Sequence, residues 1–181
     1  MKSHKNQSLR PYLLLLGTQS LSGLGSAMTG YALVLWLYRQ SGSALETALL
    51  SVCSYAPYVL MSIFAGALSD RWNKKRTMLV CDLLAAASTL GVLFLLKNGL
   101  LQPWHMYILN GVNGLMNTVQ QPAGDVAATL LVPKEHYQKT SGLRSFASSL
   151  NTILHPVLAS VLFAFAGMDL VIAVDLSTFA I

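Results

Sequence analysis

Long apolar stretches separated by short polar turns dominate this sequence of 181 residues. An α-helix needs about 20 mainly apolar residues to cross the hydrocarbon core of a bilayer. By that measure the chain predicts five complete spans and the beginning of a sixth. Only 10% of the residues are charged, whereas soluble domains carry about 25%. The sequence therefore predicts an all-α membrane protein and disfavours a water-soluble fold.

Turn residues and prolines set the bounds of the predicted helices. We expect them at about 12–37, 44–68, 77–96, 103–121, 141–166 and 170–181, after a tail of residues 1–11. In the longest polar connection, the apolar part Val126–Val132 is expected to extend a helix end or to lie at the membrane interface. The last stretch spans about 18 Å at 1.5 Å per residue, whereas the core is about 30 Å thick. The sixth helix is therefore expected to be incomplete.

The basic residues fall mainly on one side of these spans. If the N-terminus is cytoplasmic, ten of the twelve lysines and arginines lie in cytoplasmic segments, and only Arg39 and Lys97 lie in outer loops. Cytoplasmic loops carry an excess of lysine and arginine, so this count predicts a cytoplasmic N-terminus. The net charge of +5 then sets orientation and contacts anionic lipid, and no nucleic-acid partner is expected.

The connection between the second and third predicted helices carries a recognisable pattern. Its residues are Gly66, Leu68, Asp70, Arg71, Lys74, Lys75 and Arg76. This pattern resembles the loop signature of the major facilitator superfamily, and weaker matches follow in order along the chain. They are Ser22, Gly23, Gly25 and Ser26 in helix 1, Ala56-Pro57-Tyr58 in helix 2, Gln121-Pro122-Ala123 after helix 4 and Val174-Asp175 in helix 6. Within the family, the chain is most similar to the bacterial drug-efflux branch that contains macrolide-efflux-like proteins and siderophore exporters.

The resemblance implies a fold and an activity. The fold would be the N-terminal six-helix bundle of a twelve-helix transporter in the bacterial inner membrane, truncated in helix 6. Its partners would be a C-terminal six-helix half, a hydrophobic compound such as a macrolide, protons and the lipid bilayer. Alternating access would exchange the compound for protons, and the chain alone is not expected to transport. The alternatives are a membrane scaffold that does not transport and a half-transporter that acts as a homodimer.

The resemblance also implies a gate at the loop signature. Asp70 would face a helix end in the other half of the transporter, since a carboxylate is favourable at a helix N-terminus. The basic residues would pair with acidic neighbours, and Asp82 lies close enough for Arg71 or Arg76 to reach it. Relatives usually have glycine at the position of Asn73. Asparagine tolerates a left-handed backbone better than most residues, so the turn could be retained. The alternative is that these charges only fix topology and anchor lipid.

Polar residues near the middle of the spans are candidates for a substrate or proton site. They are Gln19, Asn110, Asn113, Asn117, Asn151 and His155, with Tyr31, Trp36 and Tyr58 as candidate wall residues. The alternative for these polar groups is hydrogen bonding between helices. Asp175 is either a proton or cation site, or an outer-edge residue that still touches water.

No sequence pattern indicates catalysis. HExxH, GxSxG, P-loop and Cys/His metal-ligand spacings are all absent from the sequence, and each of these motifs supplies a particular chemistry. We therefore predict no enzyme activity, no cofactor and no metal site. The sequence also has no ATP-binding module, so transport would be driven by an ion gradient or would be passive.

Overall fold

A computed structural model describes residues 9–71 and 73–180, except for the side chains of residues 63–71, 74, 121, 123, 125, 127–131 and 134. This part of the chain forms five α-helices and a short 3-10 turn at Lys134–His136. The α-helices are α1 (Arg10–Ser41), α2 (Ala44–Arg71), α3 (Lys74–Lys97), α4 (Pro103–Leu131) and α5 (Tyr137–Phe179). The all-α prediction is confirmed, but six separate helices are not found.

The helices form a bundle in which α1 packs mainly on α5, and α2 packs mainly on α4. Near the start of α1 and α5, the Tyr12 hydroxyl donates a hydrogen bond to the Thr140 carbonyl oxygen over 3.0 Å. Near the opposite end, the Arg39 guanidinium lies 5.4 Å from the ring centre of Phe163. The first part of α5 therefore runs parallel to α1. We call the two ends of the bundle the Tyr12 end and the Gly42 end.

The last helix, α5, is bent at Gly167. Its φ of 72° and ψ of −164° are not helical, and only glycine adopts this region without strain. Beyond the bend the chain turns back along α1, because Asp175 contacts Thr29 whereas Phe163 contacts Arg39. The predicted fifth and sixth helices thus correspond to the two arms of α5, with the bend in the interval between them.

Helix bounds differ from the predicted ones mainly because the helices continue into polar sequence. The apolar measure counts only residues suited to hydrocarbon, whereas helical hydrogen bonding continues past the membrane boundary. Accordingly α3 begins at Lys74, and α4 continues through Pro122 to Leu131. Of the two expectations for the segment 126–132, the extension of a helix end is the one observed.

Asn73 does not use the left-handed conformation that asparagine tolerates. Its φ of −69° and ψ of 111° are extended, and its side-chain oxygen accepts a hydrogen bond from the Arg76 backbone N–H over 3.4 Å. Asn73 is therefore the N-cap of α3, a position for which asparagine is among the preferred residues. Left-handed backbone is found in other connections, at Gly42 with φ 64°, which ends α1, and at Gly99 with φ 67°, which follows α3.

Four helical segments of the described chain are long and apolar enough to cross a membrane. They are Arg10–Ser41, Ala44–Ser62, Lys75–Lys97 and Tyr137–Phe179. Many large apolar side chains point outwards from the bundle, among them Leu14, Leu60, Phe94, Ile153 and Phe165. Phe165 is 87% exposed. Because large exposed apolar surfaces are rare in soluble monomers, these side chains are suited to contact lipid.

A very close helix contact joins α2 and α4 at Gly114. A Cβ atom added to Gly114 would collide with the backbone carbonyl oxygen of Ser54, and one added to Gly111 would lie 3.7 Å from the carbonyl oxygen of Cys53. Small residues at such interfaces let two backbones approach closely, and the resulting van der Waals packing is one of the forces that associate helices within lipid. The glycines of α4 therefore set how closely α2 and α4 pack.

Replacing Gly114 with alanine is expected to destabilise the bundle. The new methyl group meets main-chain atoms of Ser54, which cannot rotate away, so α2 and α4 must separate at a cost of about 1–3 kcal/mol. The measurement is thermal unfolding of the purified protein in detergent. Gly91→Ala in α3 is the matched control, because a Cβ there meets no atom within 4 Å. Equal melting temperatures for the two variants would contradict the close contact.

Candidate functional site

A cavity of about 750 Å³ opens inside the bundle, and all five α-helices contribute residues to its lining. Cavities that hold small molecules in proteins measure about 300–1,000 Å³. Apolar residues such as Leu15, Val34 and Met116 line it together with the aromatic rings of Tyr31 and Tyr55. The volume and the mixed lining therefore suit an amphipathic small molecule.

One face of α4 supplies most of the amide groups of this cavity. Asn110, Asn113, Asn117 and Gln120 recur at intervals of three or four residues, and all four line the cavity. Residues at this spacing lie on the same face of a helix. The Oδ1 atom of Asn113 is buried and has no hydrogen-bond partner among the described residues. An amide oxygen in this position is suited to accept a hydrogen bond from a bound molecule.

Asp175 is the most deeply buried charged group that lines the cavity. Only 4% of its surface is exposed, and it lies two turns beyond the bend at Gly167. Its carboxylate accepts hydrogen bonds from the hydroxyls of Ser26 at 3.1 Å, Thr29 at 2.9 Å and Thr89 at 3.1 Å. This burial does not fit an outer-edge residue in contact with bulk water.

The Asp175 contacts join three helical segments at one point. Ser26 and Thr29 belong to α1, Thr89 belongs to α3, and Asp175 belongs to the second arm of α5. No lysine, arginine or histidine of the described residues pairs with this carboxylate. An unpaired charge at membrane depth costs about 2.5–3.5 kcal/mol on insertion scales. Asp175 is therefore a candidate for a group that binds a proton or a cation.

Gly25 makes this arrangement sterically feasible. A Cβ atom at this position would lie 3.0 Å from the Asp175 Cα and 3.1 Å from its Oδ1, and it would collide with the Thr178 hydroxyl. The absence of a side chain lets the second arm of α5 approach α1 closely enough for the hydroxyls of Ser26 and Thr29 to reach Asp175. The glycine–serine motif of helix 1 thus packs against Asp175.

Asp82 lies nearer the Tyr12 end of the same cavity. Its Oδ1 accepts a hydrogen bond from the Gln120 side-chain amide over 2.5 Å, which joins α3 to α4. Arg76, one of its two expected partners, is exposed and forms no ion pair with Asp82. The side chain of the other expected partner, Arg71, lies outside the described part of the chain. The observed partner of Asp82 is thus an amide.

His155 is held in the cavity wall by hydrogen bonds and a ring contact. Its Nδ1 lies 2.9 Å from the Asn151 carbonyl oxygen, and the Asn151 side-chain amide donates to the Ser20 carbonyl oxygen over 2.9 Å. The ring of Tyr31 meets the imidazole edge-on, with the centroids 6.1 Å apart. Asn151 therefore packs α5 against α1, and His155 is oriented by it.

Most residues that the sequence proposed for a substrate or proton site line the cavity. They are Gln19, Tyr31, Asn110, Asn113, Asn117, His155 and Asp175, whereas Asn151 is not part of the lining. The candidate wall residues Trp36 and Tyr58 are not part of the lining, whereas Tyr55 is. Trp36 lies instead near the Gly42 end, beside Leu101 and Pro103. Because these residues line one cavity, they lie near one another. Their roles in binding a substrate or a proton stay predictions.

The loop signature lies at the junction of α2 and α3. The side chains of Leu68, Asp70, Arg71 and Lys74 and the surroundings of Gly66 lie outside the described part of the structure, so the gating role of these residues stays a prediction. Lys75 and Arg76 are exposed in the first turn of α3. They are thus accessible to a partner or to lipid headgroups.

Four contacts of the site were not predicted from the sequence. They are the hydrogen bonds that Ser26, Thr29 and Thr89 donate to Asp175, and the one that Gln120 donates to Asp82. One signal was present, because Ser26 and Thr29 are three residues apart and so share a face of an apolar helix. Nothing in the sequence shows that Thr89 meets that face, since this contact depends on how α3 packs against α5.

Comparison with known proteins shows the family of this chain. The Major Facilitator Superfamily profile matches residues 15–181. The chain therefore belongs to the Major Facilitator Superfamily, whose members are multi-pass membrane transporters and not enzymes.

Several bacterial efflux proteins are similar to this chain at low identity. Macrolide efflux protein A of Streptococcus pyogenes is 27% identical over 175 residues, which are 97% of this chain and 43% of the relative. Macrolide efflux protein A of Enterococcus faecalis is 27% identical over 134 residues, or 74% of this chain and 41% of the relative. Multidrug efflux pump Tap of Mycolicibacterium fortuitum is 26% identical over 129 residues, which are 71% of this chain and 31% of the relative. The chain thus spans less than half the length of these relatives.

Proposed function

We propose that this chain is the N-terminal half of an efflux transporter that exports a hydrophobic compound such as a macrolide in exchange for protons. The observation that carries the proposal is the cavity of about 750 Å³ with the buried Asp175 carboxylate in its wall. An apolar and aromatic lining with a few convergent polar groups is typical of small-molecule sites. A carboxylate that has no cationic partner among the described residues supplies the group that gains and loses a proton.

In this proposal the substrate and the proton use different parts of one cavity. The amides along α4 and the ring of Tyr31 orient the compound, and apolar residues contact its carbon skeleton. Asp175 takes up a proton when the cavity faces the proton-rich side, which removes the cost of a buried charge. Because its carboxylate joins α1, α3 and the second arm of α5, a change in its charge alters the packing of these three segments.

The proposed orientation places the Tyr12 end of the bundle in the cytoplasm of a bacterium. The support is the positive-inside distribution of lysine and arginine. Asp70, Arg71 and the following basic residues then lie on the cytoplasmic side, where we propose that they close against the C-terminal half. Since the chain spans 43% of Macrolide efflux protein A, that half would be supplied by sequence outside this chain.

The test is accumulation of radiolabelled erythromycin in cells that express the full-length protein. We expect lower accumulation than in cells with the empty vector, and the difference should disappear when a protonophore collapses the proton gradient. Cells that express only the 181-residue chain are the control and should match the vector. Equal accumulation in all cells with protein present in the membrane would refute export of this compound and favour the scaffold alternative.

A further inference from the structure

We propose that Asp175, Ser26, Thr29 and Thr89 form a binding site for Na⁺, which competes with a proton for the same carboxylate. The donor set consists of two carboxylate oxygens and three hydroxyl oxygens. The hydroxyl oxygens lie 2.9–3.1 Å from the carboxylate oxygens that they contact. Oxygen ligands of this kind suit hard cations. The proposal concerns binding, and its consequence for transport rests on the proposed function.

The charge of the site favours a monovalent ion. One carboxylate and one Na⁺ give zero net charge, so the ion removes the cost of an unpaired charge at this depth. A divalent cation would leave a net positive charge in a region of low dielectric. Among the described residues, the groups of α1 and α3 that hydrogen-bond to the Asp175 carboxylate are all hydroxyls. The charged or titratable side chains that line the rest of the cavity are Asp82, Arg144, His155, Tyr12, Tyr31 and Tyr55.

The hydroxyls can serve both an empty and an occupied site. Each hydroxyl has one hydrogen and two lone pairs, so it donates to the carboxylate when no ion is present. Rotation about its C–O bond turns a lone pair towards a cation without moving the oxygen. The same residues also line the cavity, which gives an ion from solution a route to them.

The site is anchored on three helical segments, and this gives ion binding a structural consequence. The ligands come from α1, α3 and the second arm of α5, and Gly25 keeps the first and last of these close together. A bound Na⁺ would be coordinated by oxygens from all three segments at once, whereas a proton on Asp175 neutralises the carboxylate and leaves only hydrogen bonds between the segments. The two ions would therefore favour different packing of the second arm against α1.

The experiment measures equilibrium binding of ²²Na⁺ to the purified full-length protein in nanodiscs, by scintillation proximity. We expect one saturable component that excess Na⁺ displaces, that excess K⁺ or choline does not displace, and that weakens as the pH falls. Asp175→Asn should reduce binding to background. Thr89→Val should weaken affinity about tenfold through loss of one ligand, whereas Thr89→Ser, which keeps the hydroxyl, should bind within about twofold of the parent.

Asp169→Asn is the matched control, because this exposed carboxylate lies on the same helix near the bend. It should bind ²²Na⁺ as the parent does. Absence of saturable ²²Na⁺ binding to the parent protein overturns the proposal. Unchanged ²²Na⁺ affinity in Thr89→Val also overturns it, and this variant provides the test if Asp175→Asn does not fold. If the protein does not bind ²²Na⁺, the proposal of proton-driven export is unaffected. If it binds ²²Na⁺ but exports no drug, only the proposed function is refuted.

Discussion

Asp175→Asn in the full-length protein is expected to abolish drug export while the protein still folds and reaches the membrane. Asparagine has nearly the same shape and keeps an oxygen that can accept from Thr29 or Thr89, so the packing around α1 is retained. It cannot take up or release a proton, and it has no charge to bind a cation. Since the proposal couples export to this change of charge, the drug should accumulate as in cells with the empty vector.

The measurement is erythromycin accumulation in whole cells, together with the amount of protein in isolated membranes. Asp169→Asn is the matched control, because it removes a carboxylate that is exposed on the same helix and should leave export unchanged. Asp175→Glu is a second variant that keeps the charge but lengthens the side chain, and it should retain part of the activity. Normal export by Asp175→Asn would show that this carboxylate has no role in coupling.

Asp70→Asn is likewise expected to abolish drug resistance without preventing membrane insertion. The loop signature implies that Asp70 faces a helix end in the other half of the transporter. A carboxylate at a helix N-terminus contributes about 0.3–1 kcal/mol when exposed and up to about 2 kcal/mol when partly buried. An amide lacks the charge that makes this contact favourable, so the gate should close less often.

The minimum inhibitory concentration of erythromycin measures this effect. Glu135→Gln is the control, because Glu135 is an exposed carboxylate in the connection between α4 and α5, and its replacement should leave resistance unchanged. If Asp70→Asn confers the same resistance as the parent, the gating role is refuted and the charges of this loop only fix topology or contact lipid.

The sequence predicted the all-α class and the order of the apolar segments because hydrocarbon imposes a simple requirement on composition, but the described residues form five α-helices and not six. A segment that crosses the bilayer must be apolar for about 20 residues and must satisfy its own backbone hydrogen bonds. The break between the predicted helices 141–166 and 170–181, which contains Gly167, was found by the same requirement, and α5 bends there. The continuation of α4 beyond Pro122 was one of two expectations, because a helix can pass into polar sequence without a change in its hydrogen bonding.

Several residues of the candidate site could be chosen from the sequence, but the contacts between them could not be predicted. Polar residues inside apolar helices are costly, so Asn113, His155 and Asp175 could be selected from sequence alone. The partner of Asp82 could not be, since Gln120 is 38 residues away and reaches it only because α3 and α4 pack together. The hydroxyls around Asp175 were missed because serine and threonine are common in membrane helices, and only packing distinguishes the ones that form a site.

Transport by purified protein tests the central claim most directly. Full-length protein in proteoliposomes, given an artificial pH gradient with no other energy source, should move radiolabelled erythromycin against its concentration gradient. Collapse of the pH gradient or the Asp175→Asn substitution should stop this movement, and the reconstituted 181-residue chain should show none. Accumulation that persists without any ion gradient, or that is the same in the Asp175→Asn variant, would contradict ion-coupled export through this cavity.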